Sequence, residues 1–290
     1  MERHTPQKAI WSLSGRTLDL SRRPHVMGIL NITPDSFSDG ERFFDIDRAV
    51  ERALEMEYEG ADSIDVGGES TRPFASPVPE TEELARVIPV LKKLAGKLKI
   101  PVSIDTYKSA VAREALLCGA EIVNDISGFT FDNGMAEVVA SANAGVILTH
   151  TRGTPTEMQK NTDYVSIVPE IIEVLCRALS LAESSGIATE NIIIDPGIGF
   201  GKSLNGNLEI IRRLGEFSVL RRPIMIGASR KSFIGSVLHR EVGDRIFGTA
   251  ATNALAIANG ASLLRVHDVK EMRDVADMTM AIIHGTATGG

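Results

Sequence analysis

Short runs of aliphatic and β-branched residues recur along the chain, and nearly every one is followed by a longer stretch with apolar positions at helical spacing. The short runs fall at 25–32, 63–66, 102–105, 122–126, 146–150, 192–195, 224–227 and 263–266. The helical stretches fall at 46–58, 80–98, 108–117, 133–142, 165–184, 207–214, 248–258 and 269–283. Strands alternating with helices of this length predict parallel βα units, so the chain reads as an α/β protein. Eight such units close into a (β/α)8 TIM barrel; the alternative is an open doubly wound sheet. An open sheet concentrates its signature in the first turns, whereas here almost every strand end carries polar residues and glycines, which favours the barrel. Residues 10–20 stand apart. They alternate apolar and polar around Ser14-Gly15, predicting a short N-terminal β-hairpin that would plug the bottom of the barrel. No shift in composition divides residues 1–290, which read as one domain.

The 290 residues suit one barrel, which typically needs ~250. A formal net charge of −7 gives no basic surplus for nucleic acid, so cations that meet an anionic ligand must be concentrated locally. No apolar run reaches the ~18 residues of a membrane span, and residues 1–6 lack the apolar core of a signal peptide. Cys118 and Cys176 lie in apolar helical stretches and read as buried core thiols, with neither a metal cluster nor a disulfide framework in view. A cytoplasmic protein is expected, with no nucleic-acid or membrane partner.

In a TIM barrel the loops after the strands build the active site. The strand ends here carry Asn31, Asp65, Asp105, Asn124-Asp125, His150, Asp195, Ser229-Arg230-Lys231 and Arg265-Val266-His267. A single Asp after a strand is commonly a helix N-cap, and Asp105 has that reading open to it. Such a reading weakens when all eight ends are polar, because charges inside a barrel mouth lose water and need partners. The groups sort into two chemistries. Asp105, Asn124, Asp195 and Lys231 offer acceptors and donors suited to the edge of a flat, nitrogen-rich heterocycle. Arg72, Arg265, His267 and Asn31 suit a phosphate or pyrophosphate. One motif fails: 199–203 (GFGKS) looks like the end of a phosphate-binding P-loop, but Pro196 stands where that pattern needs a glycine.

Seven segments together resemble the bacterial dihydropteroate synthase family. They are 31–40 (NITPDSFSDG), 67–73 (GGESTRP), 103–106 (SIDT), 124–128 (NDISG), 195–202 (DPGIGFGK), 229–232 (SRKS) and 265–269 (RVHDV). The resemblance implies condensation of 7,8-dihydropterin-6-ylmethyl diphosphate with 4-aminobenzoate, giving dihydropteroate and pyrophosphate. It places the pterin on Asp105, Asn124, Asp195 and Lys231. The pyrophosphate falls to Asn31, Arg72, Arg265 and His267, with Mg²⁺ as cofactor held with the help of Asn31. The aminobenzoate falls to Phe37, Thr71, Pro73, Phe200 and Ser229. The catalytic residues implied are Asp105, Lys231, Arg265 and His267, the last as a phosphate donor rather than a base. Sulfonamides are implied inhibitors and a homodimer the implied assembly. A pterin-dependent methyltransferase domain would share Asp105, Asn124 and Asp195, but would need neither Arg72 nor Arg265. A non-catalytic pterin-binding paralogue is the other alternative, and it should have lost part of the phosphate set. The loops after the first two strands are long and glycine-containing, as expected of lids. Two departures from the family pattern stand out: Thr151-Arg152 in place of Met-Gln, and Glu41 in place of a glycine.

Overall fold

A computed structural model describes residues 10–33 and 42–286. The sequence-predicted site residue Phe37 and the departure at Glu41 lie outside the described residues, as does most of the first strand-end loop. Strands β1 (Ile10–Ser12) and β2 (Thr17–Asp19) pair antiparallel, with Trp11 opposite Leu18. Eight strands then run parallel: β3 (His25–Asn31), β4 (Ser63–Gly67), β5 (Val102–Asp105), β6 (Ile122–Asp125), β7 (Gly145–Thr149), β8 (Ile192–Asp195), β9 (Met225–Ile226) and β10 (Leu263–Val266). Their order is β8-β7-β6-β5-β4-β3-β10-β9. A bridge between Ile194 and Ile224 joins the last strand to the first, and the Ile194 N–H donates to the Pro223 carbonyl at 3.0 Å. The barrel closes at this short seam.

Helices α1 (Arg42–Tyr58), α2 (Glu80–Leu94), α3 (Ser109–Leu117), α4 (Met135–Ser141), α5 (Ile167–Ser184), α6 (Leu204–Arg212), α7 (Ser232–Leu238), α8 (Ile246–Ala258) and α9 (Val269–His284) surround it. Strands covered on both faces read as short, largely apolar runs, with Ser and Asp interleaved in β4 and β5, which is why their positions were clear from the sequence. Helix α7 was not predicted. It is two turns long and interrupted by Gly235, too short for a 3.6-residue period to show. The helix expected over 80–98 stops at Leu94.

Alternate residues of each strand face opposite ways. Val26, Ile64, Ile104, Val123, Val146, Ile194 and Leu264 pack outward against the helices in the main core. Met27, Ile122, Ile147, Ile193, Met225 and Leu263 form a second cluster inside the barrel, and Trp11, Leu13 and Leu20 pack under it. The hairpin is therefore the plug that its pattern suggested. The Trp11 indole is fully buried and donates to the Asn191 carbonyl at 2.9 Å. Gly145 makes room for it: a Cβ there would lie 2.3 Å from Leu13 Cδ2.

Two steps further along the same inward rows the chemistry reverses. Ser63 leads to Asp65, Ser103 to Asp105, Ile122 to Asn124, Ile193 to Asp195 and Leu263 to Arg265. Apart from the half-buried Arg265, all of these are buried. Asp105 is thus no helix cap. Helix α3 begins after Lys108 without a side-chain cap from that residue, while the Ser109 N–H is met by Asp132 at 2.7 Å. One expectation is corrected outright: Cys176 is exposed and Cys118 only half-buried. Leu175 points to the core, and one step along a helix turns a side chain by about 100°, which carries Cys176 to the outer face. Among the described residues no helix is long and apolar enough to cross a membrane.

Truncating the plug tests its packing. Trp11→Ala should lower the free energy of unfolding by about 3–5 kcal/mol, read from urea titration, and a loss below about 1 kcal/mol would contradict a packed stopper.

Candidate active site

The floor of the barrel mouth is an ionic network. Arg265 Nε donates to Asp65 Oδ2 at 2.6 Å, and its Nη2 donates to Asp105 Oδ2, also at 2.6 Å. Asn124 Nδ2 donates to the same Asp65 oxygen at 2.9 Å. Sequence reasoning grouped Arg265 with the phosphate set; the structure lays its guanidinium between two floor carboxylates. The network is incomplete. Asp65 Oδ1, Asp105 Oδ1 and Asn124 Oδ1 are buried and accept no hydrogen bond from any described residue. Unpaired buried acceptors are costly, so each such group needs an explanation. Burial pushes the Asp105 carboxyl up to about 7; Arg265 pulls against this and the Asp65 charge adds to it. A glycine on the neighbouring strand keeps the space open. A Cβ on Gly67 would sit 3.6 Å from Asp105 Oδ2 and 3.7 Å from Asn31 Oδ1.

One wall comes from β8 and the loop after β9. Asp195 Oδ1 accepts from the Gly197 N–H at 2.7 Å. Burial raises the Asp195 carboxyl, and the Lys231 charge opposes that rise. Lys231 donates to the Ile198 carbonyl, and its Nζ lies 4.4 Å from the centre of the Phe200 ring. Burial lowers its ammonium to about 8, with Asp195 holding it up and Arg265 pressing it down. Gly199 has φ +83°, and a Cβ there would approach the Lys231 stem to 3.1 Å, so the stem runs over a residue that has to be glycine.

The rim joins the ends of β9 and β10. Ser229 Oγ accepts from the His267 N–H at 3.2 Å and lies 3.0 Å from His267 Nδ1. The hydroxyl thus meets both the backbone and the ring of His267. Burial lowers His267 to about 4, with Arg265, Arg230 and Arg72 adding to the effect. At neutral pH it is therefore an uncharged donor, not an acid. Arg72 and Pro73 are exposed on the loop after β4, Thr71 is half-buried, and Asn31 is half-buried at the end of β3. Asp105, Asn124, Asp195, Lys231 and Arg265 thus converge on the floor and wall, with Phe200, Ser229 and His267 above them. Arg72 reaches this group through its charge on His267.

Residues 27–267 match the family described as "Pterin binding enzyme". A dihydropteroate synthase from Synechocystis sp. is 46% identical over 270 residues, 92% of this chain and 93% of that protein. The chain belongs to the dihydropteroate synthases. Among solved structures, a Yersinia pestis dihydropteroate synthase with a sulfonamide drug superposes with a TM-score of 0.89 at 40% identity, covering 95% of this chain and 99% of its own. The Xanthomonas albilineans dihydropteroate synthase with 4-aminobenzoic acid gives the same TM-score and identity, covering 96% and 99%.

For a dihydropteroate synthase of this sequence, three site features escaped sequence reasoning. Asp65 carries both Arg265 and Asn124, yet among the polar strand ends it was given no role; the signal was its inward parity with Asp105 on the next strand. Arg230 sits at φ +58° and pairs twice with Asp268, its Nε at 3.0 Å, clamping the ends of β9 and β10 together. Nothing in its sequence marks that conformation. Lys202 is buried against His150, a contact between residues 52 apart that no local pattern reveals.

The raised Asp105 has a measurable sign. Its folded value exceeds the ordinary value of 3.8, so its contribution to stability is full below about pH 4 and is lost as pH rises towards about 7. Asp105→Asn removes that loss. The variant's unfolding free energy relative to wild type should therefore rise by roughly 1 kcal/mol per pH unit across that window, and a constant difference would contradict the assignment.

Proposed function

We propose that this chain condenses 7,8-dihydropterin-6-ylmethyl diphosphate with 4-aminobenzoate, releasing pyrophosphate and 7,8-dihydropteroate. The observation that carries this reading is the pair of buried, unpaired acceptors Asp105 Oδ1 and Asn124 Oδ1 on the floor that Arg265 crosses, with Lys231 on the wall. A pterin edge brings ring and amino N–H groups to those acceptors, and Asp195 and Lys231 address the same heterocycle from the wall. The 4-aminobenzoic acid bound by the Xanthomonas albilineans relative supports the second substrate, with Thr71, Pro73, Phe200 and Ser229 around it. Phe37 completes that set from outside the described residues.

The chemistry is substitution at the methylene carbon. The C–O bond to the diphosphate breaks, and pyrophosphate leaves with the electron pair. The arylamine nitrogen forms the new C–N bond and gives up a proton to solvent. Departure leads attack, because the electron-rich ring delocalises the developing cation. Asp105 and Asp195 stabilise that charge from fixed positions. The His267 ring, Arg72 and the Asn31 amide meet the departing pyrophosphate, while Arg265 orients Asp105 and adds positive charge to the site. No strong general base is required, since an aromatic amine attacks in its neutral form. Positioning and electrostatics supply the acceleration.

Among the described residues no group of three His, Cys, Asp or Glu side chains could hold a metal ion. Mg²⁺ keeps most of its waters and binds chiefly through substrate phosphates, so it asks for few protein ligands. Asn31 offers it a neutral oxygen, and when bound the ion would neutralise charge on the leaving group. The sulfonamide in the Yersinia pestis relative supports sulfonamides as competitors for the aminobenzoate position here. We assign the enzyme to the cytoplasm and to a homodimer. Adjacent helices α8 and α9 leave Phe247, Leu255, Met278 and Ile282 exposed, an apolar face suited to a second copy.

Purified protein with Mg²⁺ and both substrates should release pyrophosphate. Lys231→Ala should weaken pterin binding and Arg265→Ala should depress turnover, each by about tenfold or more, as expected for the loss of one buried charged contact. Absence of turnover in the wild type rejects the function, and wild-type behaviour of both variants rejects the site. Light scattering should give a dimer mass; a monomer at working concentration removes the homodimer.

A further inference from the structure

Lys202 belongs to none of the roles above, yet its ammonium is buried, the whole residue being 3% exposed. Its Nζ lies 2.9 Å from His150 Nδ1, donates to the Phe200 carbonyl at 2.9 Å and approaches the His150 carbonyl at 3.4 Å. Among the described residues it forms no ion pair. Burying a cation without a counter-charge costs several kcal/mol, so stability alone is a poor reason for a lysine here. Burial lowers this amine well below its ordinary range, with Lys231 and Arg152 pressing the same way against Asp195. Burial also pushes His150 down to about 2, so its ring is neutral beside the amine.

What the contacts join is informative. His150 ends the β7 row, and its N–H donates to the Asp195 carbonyl at 2.9 Å. Phe200 sits at the crest of the turn that follows Asp195. Gly197 lets the two segments meet, since a Cβ there would fall 1.9 Å from the His150 carbonyl oxygen. The far side of the turn is tied by Gln159 to the Gly199 carbonyl at 2.7 Å and by Tyr164 to the Gly201 carbonyl at 3.0 Å. Lys202 is the tie from beneath, bonded to the carbonyl of the residue whose ring faces Lys231.

We propose that Lys202 is a positioning residue: its buried amine holds the Asp195–Lys202 turn closed on His150, so that Phe200 is presented to the arylamine substrate. This rests on the synthase reading of the site. From one atom the amine reaches both the His150 ring and the Phe200 carbonyl, on two different segments, a geometry that a planar guanidinium cannot match in the same space. Lys202 acts through Phe200 and touches neither substrate itself. Its loss should therefore fall on the second substrate more than on the first.

Steady-state kinetics on Lys202→Met, with pterin binding measured by calorimetry, decides the matter. The KM for 4-aminobenzoate should rise about tenfold or more, the scale of one or two lost buried hydrogen bonds, while the pterin dissociation constant stays within about threefold of wild type. Equal losses for both substrates, or no change in either, overturn the positioning role. If the Met variant does not fold, Lys202→Gln, which keeps two N–H donors at shorter reach, carries the same comparison with the same criteria. Failure of the wild type to turn over the substrate pair strikes the synthase reading instead, and the two failures are told apart by the wild-type assay.

Discussion

The mouth of the barrel depends on one constraint: charges withdrawn from water must find partners. Arg265 answers it for two carboxylates at once, and Asp65 answers it for Arg265 and Asn124 together. Two acids share one guanidinium, and an oxygen of each acid is still unmet. That shortfall is the chemical invitation. A protein that completed the network internally would be more comfortable and would have nowhere to put a ligand. Gly67, next to Asp105, leaves room beside the Asp105 carboxylate and the Asn31 amide, since a Cβ there would touch both.

Much of the architecture was legible because the parallel strands are buried on both faces, so most wrote a short apolar run into the sequence, while β4 and β5 alternate apolar residues with Ser and Asp. The polar strand ends were equally legible, since Asp, Asn and Lys after such runs have few structural excuses. The helix-cap excuse, open to Asp105 on sequence alone, disappears once Asp132 is seen serving the start of α3. Direction was the harder quantity. Arg265 stands at the right place for a phosphate ligand, yet its side chain lies across the floor because Asp65, 200 residues away in sequence, draws it there. Cys176 was misjudged for a related reason: apolar neighbours in sequence do not share its side of the helix. Helix α7 was missed because two turns broken by a glycine carry no readable period.

The walls owe their shape to contacts that cross between loops rather than along them. Arg230 and Asp268 lock two strand ends together at a left-handed backbone position, and Ser229 with His267 repeats the connection one layer inward. Lys202 and His150 do the same for the neighbouring pair of loops. Each lock spends an awkward conformation or a buried charge on geometry, the pattern expected where substrates must be held rather than merely admitted.

The hairpin stopper also fixes which end of the barrel is polar. Trp11, Leu13 and Leu20 close one end with apolar side chains, so the buried acceptors Asp65 Oδ1, Asp105 Oδ1 and Asn124 Oδ1 stand on the opposite side of the inner apolar layer. A substitution that loosened the hairpin would let water reach that layer from below, and would weaken the footing of the ionic floor without touching any of its members.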